Sequence, residues 1–459
     1  MNSTFKVVFN KARGALMVVN EVTSSVQAKG TKTVVAAAVA TMIAGVAGTA
    51  MAAEWEVAPE GLEAATDTVI TDANWAAIKD QNAFELTSSD KEAKKSWANV
   101  AKDQTFDKTL WVSGAGAKAH ASGFGVSGEK VKFTNKGTIY VTSGKDGVNY
   151  QNDAIWAGNG ATAINEGKIV AKDAYGMRVG TGDTASKIVN NGSIYVESTG
   201  AGMELGGAAN SEAVNNGLIS VGEVNTESSQ LPFGHGVLIQ DQTGAKFTNN
   251  GTITAGKGAT AIEIKKVHSE TTGEVVLKGN SKIDGLIHVA SNVKSATIIA
   301  KDGVTDTLTL KAENVANDND IQGTELNVQT NSTITLADKQ ANKLAKVVVD
   351  ETSRLNLSIM QADNAVKNAQ IEGILNITKL NSGGSEDQTQ ANATPHDKLL
   401  LAYDSTWNLN GGKLYVAGTE YTGTLRIGTA NETKGSGELR KLFKTPISER
   451  WGKQICLNE

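Results

Sequence analysis

FTNKGTIYV (Phe133–Val141) recurs along the chain as AINEGKIVA (Ala163–Ala171), IVNNGSIYV (Ile188–Val196), AVNNGLISV (Ala213–Val221) and FTNNGTITA (Phe247–Ala255). All five read apolar-x-Asn-x-Gly-x-Ile. The asparagines are Asn135, Asn165, Asn190, Asn215 and Asn249, so successive spacings are 30, 25, 25 and 34. The glycines are Gly137, Gly167, Gly192, Gly217 and Gly251. Ile139, Ile169, Ile194, Ile219 and Ile253 follow two residues later.

A second element alternates with the first. It reads Gly176-Met177-Arg178-Val179, Gly202-Met203-Glu204-Leu205, Gly236-Val237-Leu238-Ile239 and Ala261-Ile262-Glu263-Ile264, with Ala154-Ile155-Trp156-Ala157 as a looser copy. Each unit of about 25 residues thus holds two short strands with period-two alternation. A four-residue strand with one apolar face cannot stand alone. Stacked in register, each coil buries its inward residues against its neighbours. The reading is an all-β right-handed parallel β-helix with an internal isoleucine ladder. Asn-x-Gly supplies the turn, because Asn tolerates left-handed backbone and Gly adopts it freely. Stacked asparagines can also hydrogen-bond along the axis. An antiparallel sandwich, for which Asn-Gly is a hairpin signal, would not return the same motif once per 25-residue unit.

Five segments follow. Residues 1–52 are an export leader (1–30 an extension, 31–52 the helical signal core and cleavage site). Residues 53–108 are a small mixed cap containing Trp55, Trp75, Trp97 and a helix-like run, SDKEAKKSWANVAKD (Ser89–Asp103). Residues 109–265 are regular coils. Residues 266–440 are irregular coils, where the motif fades but alternation continues, as in STITLADKQ and EGILNITKL. Residues 441–459 are a basic, Gly-poor tail. Polar stretches at Gly222–Gly234 and Ser382–Asp397 read as loops at coil corners. The 48 Gly and only 4 Pro among 459 residues fit many tight turns between regular strands.

The net charge of −5 gives no support to nucleic-acid binding, where a basic face is expected. Cys456 is the only cysteine, so no intramolecular disulfide can form. Residues 34–50 carry no charge, Lys29 and Lys32 precede them, and Ala50-Met51-Ala52 offers small residues for cleavage before Ala53. That is the order of a secretory signal. The run is short and Ala-rich for a membrane anchor, so no mature membrane span is expected. The first 52 residues hold five basic residues and Glu21. The mature part then has 44 − 5 = 39 basic and 49 − 1 = 48 acidic residues, a net of −9.

The extension in front of this signal, FKVVFNKARGALMVVNE (Phe5–Glu21), resembles the extended signal peptide region of Gram-negative type V secretion proteins. Two aromatics (Phe5, Phe9), Asn10, a basic residue (Lys11 or Arg13), Gly14, an apolar run (Leu16–Val19) and Glu21 stand in that family's order. With the repeats, the mature chain resembles the passenger of an autotransporter adhesin. The resemblance implies export by the inner-membrane secretion machinery and a C-terminal β-barrel translocator. The chain stops at Leu457-Asn458-Glu459 with no run of membrane strands, so a passenger truncated before its barrel is expected. The location would be the cell surface or the medium if a barrel is supplied, and otherwise the periplasm.

No catalytic constellation stands out. His120, His235, His268, His288 and His396 are scattered without metal-ligand spacing and are expected at solvated or corner positions. Asp318-x-Asp320 before Gly323 places Gln322 and Gln329 where a calcium loop needs acidic ligands, and reads as a polar turn. VGTGD (Val179–Asp183) lacks the lysine of a phosphate loop. Arg178, with Glu204 one coil on and Glu263 further along, is expected on a solvated charged face. The expected function is a binding passenger without catalysis, metal or cofactor, whose partner is a host glycan or matrix protein. A β-helical polysaccharide-active enzyme and a non-functional truncated passenger are the alternatives.

Overall fold

The computed structural model describes residues 96–107, 109–113, 121–142, 152–180, 182, 184–222, 234–316, 321–337, 343–357, 365–377, 405–416 and 419–427, with short strands at 5–10, 15–20, 85–88, 400–401 and 437–438. All regular structure among these residues is β, and none of it is a helix able to cross a membrane. The chain divides into Met1–Thr49 and Ala50–Glu459.

In the first unit Phe5–Asn10 pairs antiparallel with Ala15–Asn20, setting Val7 against Val18, Val8 against Met17 and Phe9 against Leu16. The β-branched and aromatic side chains of the extension suit such a two-stranded ribbon. The signal core, Ala50, Ala52 and Ala53 lie outside the described residues.

The second unit is a parallel β-helix. A full coil passes through three faces. The first carries the asparagines, in strands such as Thr162–Asn165, Lys187–Asn190 and Glu212–Asn215. The second carries the isoleucines, as in Thr138–Thr142, Leu218–Val221 and Thr252–Ala255. The third is built from Asp153–Gly158, His235–Gln240 and Thr260–Lys265. In two coils the second and third faces are one bent strand, Lys168–Val179 and Ser193–Leu205, and the register slips between Lys172 and Ala174. Asp173 turns that corner with φ 51°.

Every face stacks in parallel, residue over homologous residue. Ile139, Ile169, Ile194, Ile219 and Ile253 form one internal column. Met177, Met203, Val237 and Ile262 form a second. Phe133, Ala163, Ile188, Ala213 and Phe247 form a third. All belong to one continuous core. Each fully buried Ile or Met contributes roughly 1.5–3 kcal/mol, so the columns carry the stability of the stack.

The build changes at Ala312, later than the fading of the motif near Lys266. Up to that point the third face continues, with Leu286–Val289 pairing with Thr309–Ala312. Beyond it the described coils hold two strands each: Gly323–Val328 with Thr333–Leu336, Lys343–Val349 with Arg354–Leu357, and Ala365–Ile371 with Ile374–Ile377. Both ends leave the parallel pattern. Glu85–Ser88 runs antiparallel to Ser96–Val100, and Thr419–Ile427 runs antiparallel to Ser405–Val416. Such pairs cover edges that would otherwise recruit another strand.

The cap also needs correction. Within the run expected to be helical, Ser96–Val100 is a strand parallel to Ala121–Ser127, and just beyond that run Gln104–Phe106 pairs with Lys132–Asn135. Stacking therefore starts before residue 109. Helix propensity loses here to packing: Val100 and Phe106 are buried, and Phe106, Phe124 and Phe133 form a cluster with ring centroids 4.9 and 4.5 Å apart.

Candidate functional site

Two polar columns run along the stack. The first is the buried asparagine ladder. Asn135, Asn165, Asn190, Asn215 and Asn249 are wholly inaccessible. Each Nδ2 donates to the Oδ1 of the next asparagine, at 2.7–2.8 Å. Asn249 ends the series by donating to Ser281 Oγ at 2.8 Å. The same Nδ2 groups reach nearby carbonyls, such as Gly167 O from Asn165 and Leu218 O from Asn190. The ladder thus satisfies its own buried amides and ties successive coils together.

The glycines at these turns serve a different end from the one the sequence suggests. None of the ladder asparagines or their Gly partners has positive φ. The reason for glycine is close approach: a Cβ on Gly167, Gly192, Gly217 or Gly251 would lie 2.0–2.1 Å from the carbonyl oxygen of the preceding coil's glycine. The coils are too close there for any side chain. For Gly137 the structure shows the backbone amide bonded to Asn135 Oδ1 at 3.1 Å.

The second column lies on the third face, opposite the core. In register it reads Trp156, Arg178, Glu204, Leu238, Glu263, His288 and Lys311. A solvated face was expected. Instead Glu204 is inaccessible, Glu263 nearly so, and Arg178 only partly exposed. Arg178 Nε lies 2.8 Å from Glu204 Oε2, and its Nη1 lies 3.9 Å from Asp153 Oδ1. Gln240 Nε2 donates to Glu204 Oε1 at 2.7 Å. The guanidinium also stands 5.3 Å over the Tyr175 ring. Burial opposes the charge of Arg178, but Glu204 and Asp153 outweigh it and hold the group protonated. Burial raises the pKa of Glu204, with Arg178 and Gln240 pulling the other way.

Glycine makes room for this column. A Cβ on Gly180 would fall 1.9 Å from the Trp156 indole, and one on Gly158 would fall 2.5 Å from it. One on Gly206 would sit 2.7 Å from Glu204 Oε1. Trp156 and Glu204 therefore lie along the sheet rather than away from it.

Further along, His288 joins three coils. Its Nδ1 lies 3.0 Å from both oxygens of Glu263, and its Nε2 lies 3.1 Å from Glu313 Oε2. Carboxylates on both nitrogens suit the doubly protonated ring. The bonds to Glu263 lead in raising its pKa, against burial. Lys311 Nζ meets Glu313 Oε1 at 2.5 Å, which lowers the Glu313 pKa. His235 is the opposite case. It is buried, its Nδ1 bonds Thr260 Oγ1 at 2.6 Å, and burial lowers its pKa to about 3, so it stays neutral. Its Nε2 has no hydrogen-bond partner. Neither histidine is a solvated corner residue, whereas His268 is exposed. His120 and His396 lie outside the described residues, as do Asp318, Asp320, most of Gly222–Gly234, Ser382–Asp397 and the tail from Lys441.

Among the described residues no group of three or more His, Cys, Asp or Glu side chains could hold a metal ion. Sequence reading pointed to Arg178, Glu204 and Glu263 but missed Asp153, Gln240 and the His288 bridge. The 25-residue step from Glu263 to His288 was the available signal.

Residues 1–50 match the family model described as the Extended Signal Peptide of Type V secretion system. No curated protein and no solved structure matches the chain. The chain is thus labelled for export across the inner membrane by the type V route, and its parallel β-helix has the architecture of a passenger.

Proposed function

We propose that this type V secretion chain is the binding passenger of an autotransporter, adhesin-like and without chemistry of its own. It leaves the inner membrane through its leader and works at the cell surface or in the medium, taking a host glycan or a matrix protein as partner. One observation carries the reading against catalysis. Arg178, the cation that a polysaccharide-active β-helix would turn toward a sugar acid, is engaged by Glu204 and Asp153 within its own column. The neighbouring His288 is likewise held between Glu263 and Glu313. Charges paired in this way hold coils together and leave the flat sides and corner loops for binding.

The test sets two assays side by side on the exported protein: retention on a panel of glycans and matrix proteins, and release of sugar from polysaccharides. Retention without sugar release is expected. Sugar release that vanishes in Arg178→Lys while the protein stays folded would instead make the third face an active site.

A further inference from the structure

The outward side of the asparagine face carries a pattern that the binding reading does not use. Between the inward core residues stands the column Ile164, Val189, Val214, Thr248, Val276, Ile299. All but Val276, which is buried, are partly exposed. None belongs to the core or packs against it. Ile164, Val189, Val214 and Ile299, with Thr248 and the buried Val276 between them, put β-branched apolar side chains on the outside of the sheet, where they invite a partner.

The stripe is a palindrome. Reversed about the midpoint between Val214 and Thr248, Ile164 meets Ile299, Val189 meets Val276, and Val214 meets Thr248. The column beside it reads Thr162, Lys187, Glu212, Lys246, Glu274, Thr297 in the same register. The same reversal sets Lys187 against Glu274, Glu212 against Lys246 and Thr162 against Thr297, so that the pairs Lys187–Glu212 and Lys246–Glu274 of one chain meet those of the other with signs opposed. On the other flank, the corner residues run from Glu166 through Asn191, Asn216 and Asn250 to Lys278 and Lys301. There the reversal sets Glu166 against Lys301, Asn191 against Lys278 and Asn216 against Asn250. Three adjacent columns are thus self-complementary under one operation. That operation is a two-fold axis parallel to the strands, which turns the face onto itself with the coil order reversed.

We infer that this face is an interface on which a second copy of the chain docks antiparallel, about an axis between the coils of Val214 and Thr248. At about 4.8 Å per coil the palindrome is roughly 24 Å long. One short strand wide, it buries well under the ~800 Å² per partner of a standard interface, so the dimer is weak and concentration-dependent. The inference stands whatever the host ligand is.

The test is sedimentation velocity of the exported protein over a wide concentration range. Dimer is expected to grow with concentration, and Val189→Lys, on an outward position, is expected to weaken it at least about tenfold, as a charge in an apolar contact does. Far-UV circular dichroism checks that this variant keeps its strands. The distinguishing experiment is a charge exchange. Glu166→Lys and Lys301→Glu each weaken the dimer, and the double variant restores it. These residues lie five coils apart in one chain and meet only across the antiparallel two-fold. A chain monomeric at every reachable concentration overturns the inference, as does a dimer indifferent to Val189→Lys or singles that the double variant fails to rescue. Loss of glycan or matrix-protein retention in a monomeric Val189→Lys would assign the face to that other partner.

Discussion

The asparagine ladder and the third-face column are both polar stacks at one residue per coil, yet they solve burial in opposite ways. The ladder repeats a single neutral residue that is donor and acceptor at once, so each amide completes the next. The third-face column mixes Trp156, Arg178, Glu204, Glu263 and His288, and each charge must find its own counter-charge one coil away. The ladder is therefore tolerant of length, whereas the charged column depends on the identity of each member. Removing a member should cost more where a charge is left behind than where an amide is.

The largest effect is expected at Arg178. Arg178→Ala leaves the inaccessible carboxyl of Glu204 without its counter-ion, a loss of about 3–5 kcal/mol in a denaturant melt at neutral pH. Part of the loss should return on acidification, as Glu204 takes up a proton. A variant as stable as the native chain would show that the column holds no buried pair.

The ladder comes next. Asn190→Ala strands the inaccessible Oδ1 of Asn215 and leaves Asn165 Nδ2 only its longer bonds to Gly167 O and Ser193 O, and should cost about 2–3 kcal/mol. Because stacked coils couple mainly to their neighbours, hydrogen exchange should quicken most in the coils of Asn165 and Asn215. Uniform quickening along the whole solenoid would argue against that locality.

The bridge at His288 is a matter of pH. Its folded pKa is raised, so its stabilisation is full below the unfolded value of about 6.5 and is lost as pH climbs through the folded value. Native chain and His288→Gln should therefore differ most in melting temperature in acid and converge as pH rises. A difference that grows with pH would reverse the assignment. The smallest effect belongs to the surface: Lys187→Ala breaks a half-exposed pair with Glu212 and should stay within about 1 kcal/mol at low protein concentration.

The ladder was legible because it is written in identical letters. Asn-x-Gly-x-Ile at steps of 25 to 34 gave the coil and the register before any coordinate, but two strands per unit where the full coil has three. Its glycines were legible as positions but not as reasons, since contact between coils is invisible until the coils are stacked. The third-face column was legible only in fragments. Arg178 and Glu204 share a repeat position, but their burial depends on what surrounds the face, and Gln240 enters from two residues further along its strand. Ser96–Val100 misled for a related reason: its letters favour a helix, and only the buried neighbours Phe124 and Val126 make it a strand. The change at Ala312 leaves no mark in the alternation, because two-strand and three-strand coils share the same period within each strand.

The most direct test of the central claim, that the third-face charges serve the stack by pairing with one another, is a double-mutant cycle on Arg178 and Glu204. The singles Arg178→Met and Glu204→Leu should each lower stability by about 3–5 kcal/mol, while the double, which removes both charges and leaves apolar groups of similar size, should return close to the native value. A double variant as unstable as the sum of its singles would contradict the account and show that these two side chains answer to something other than each other.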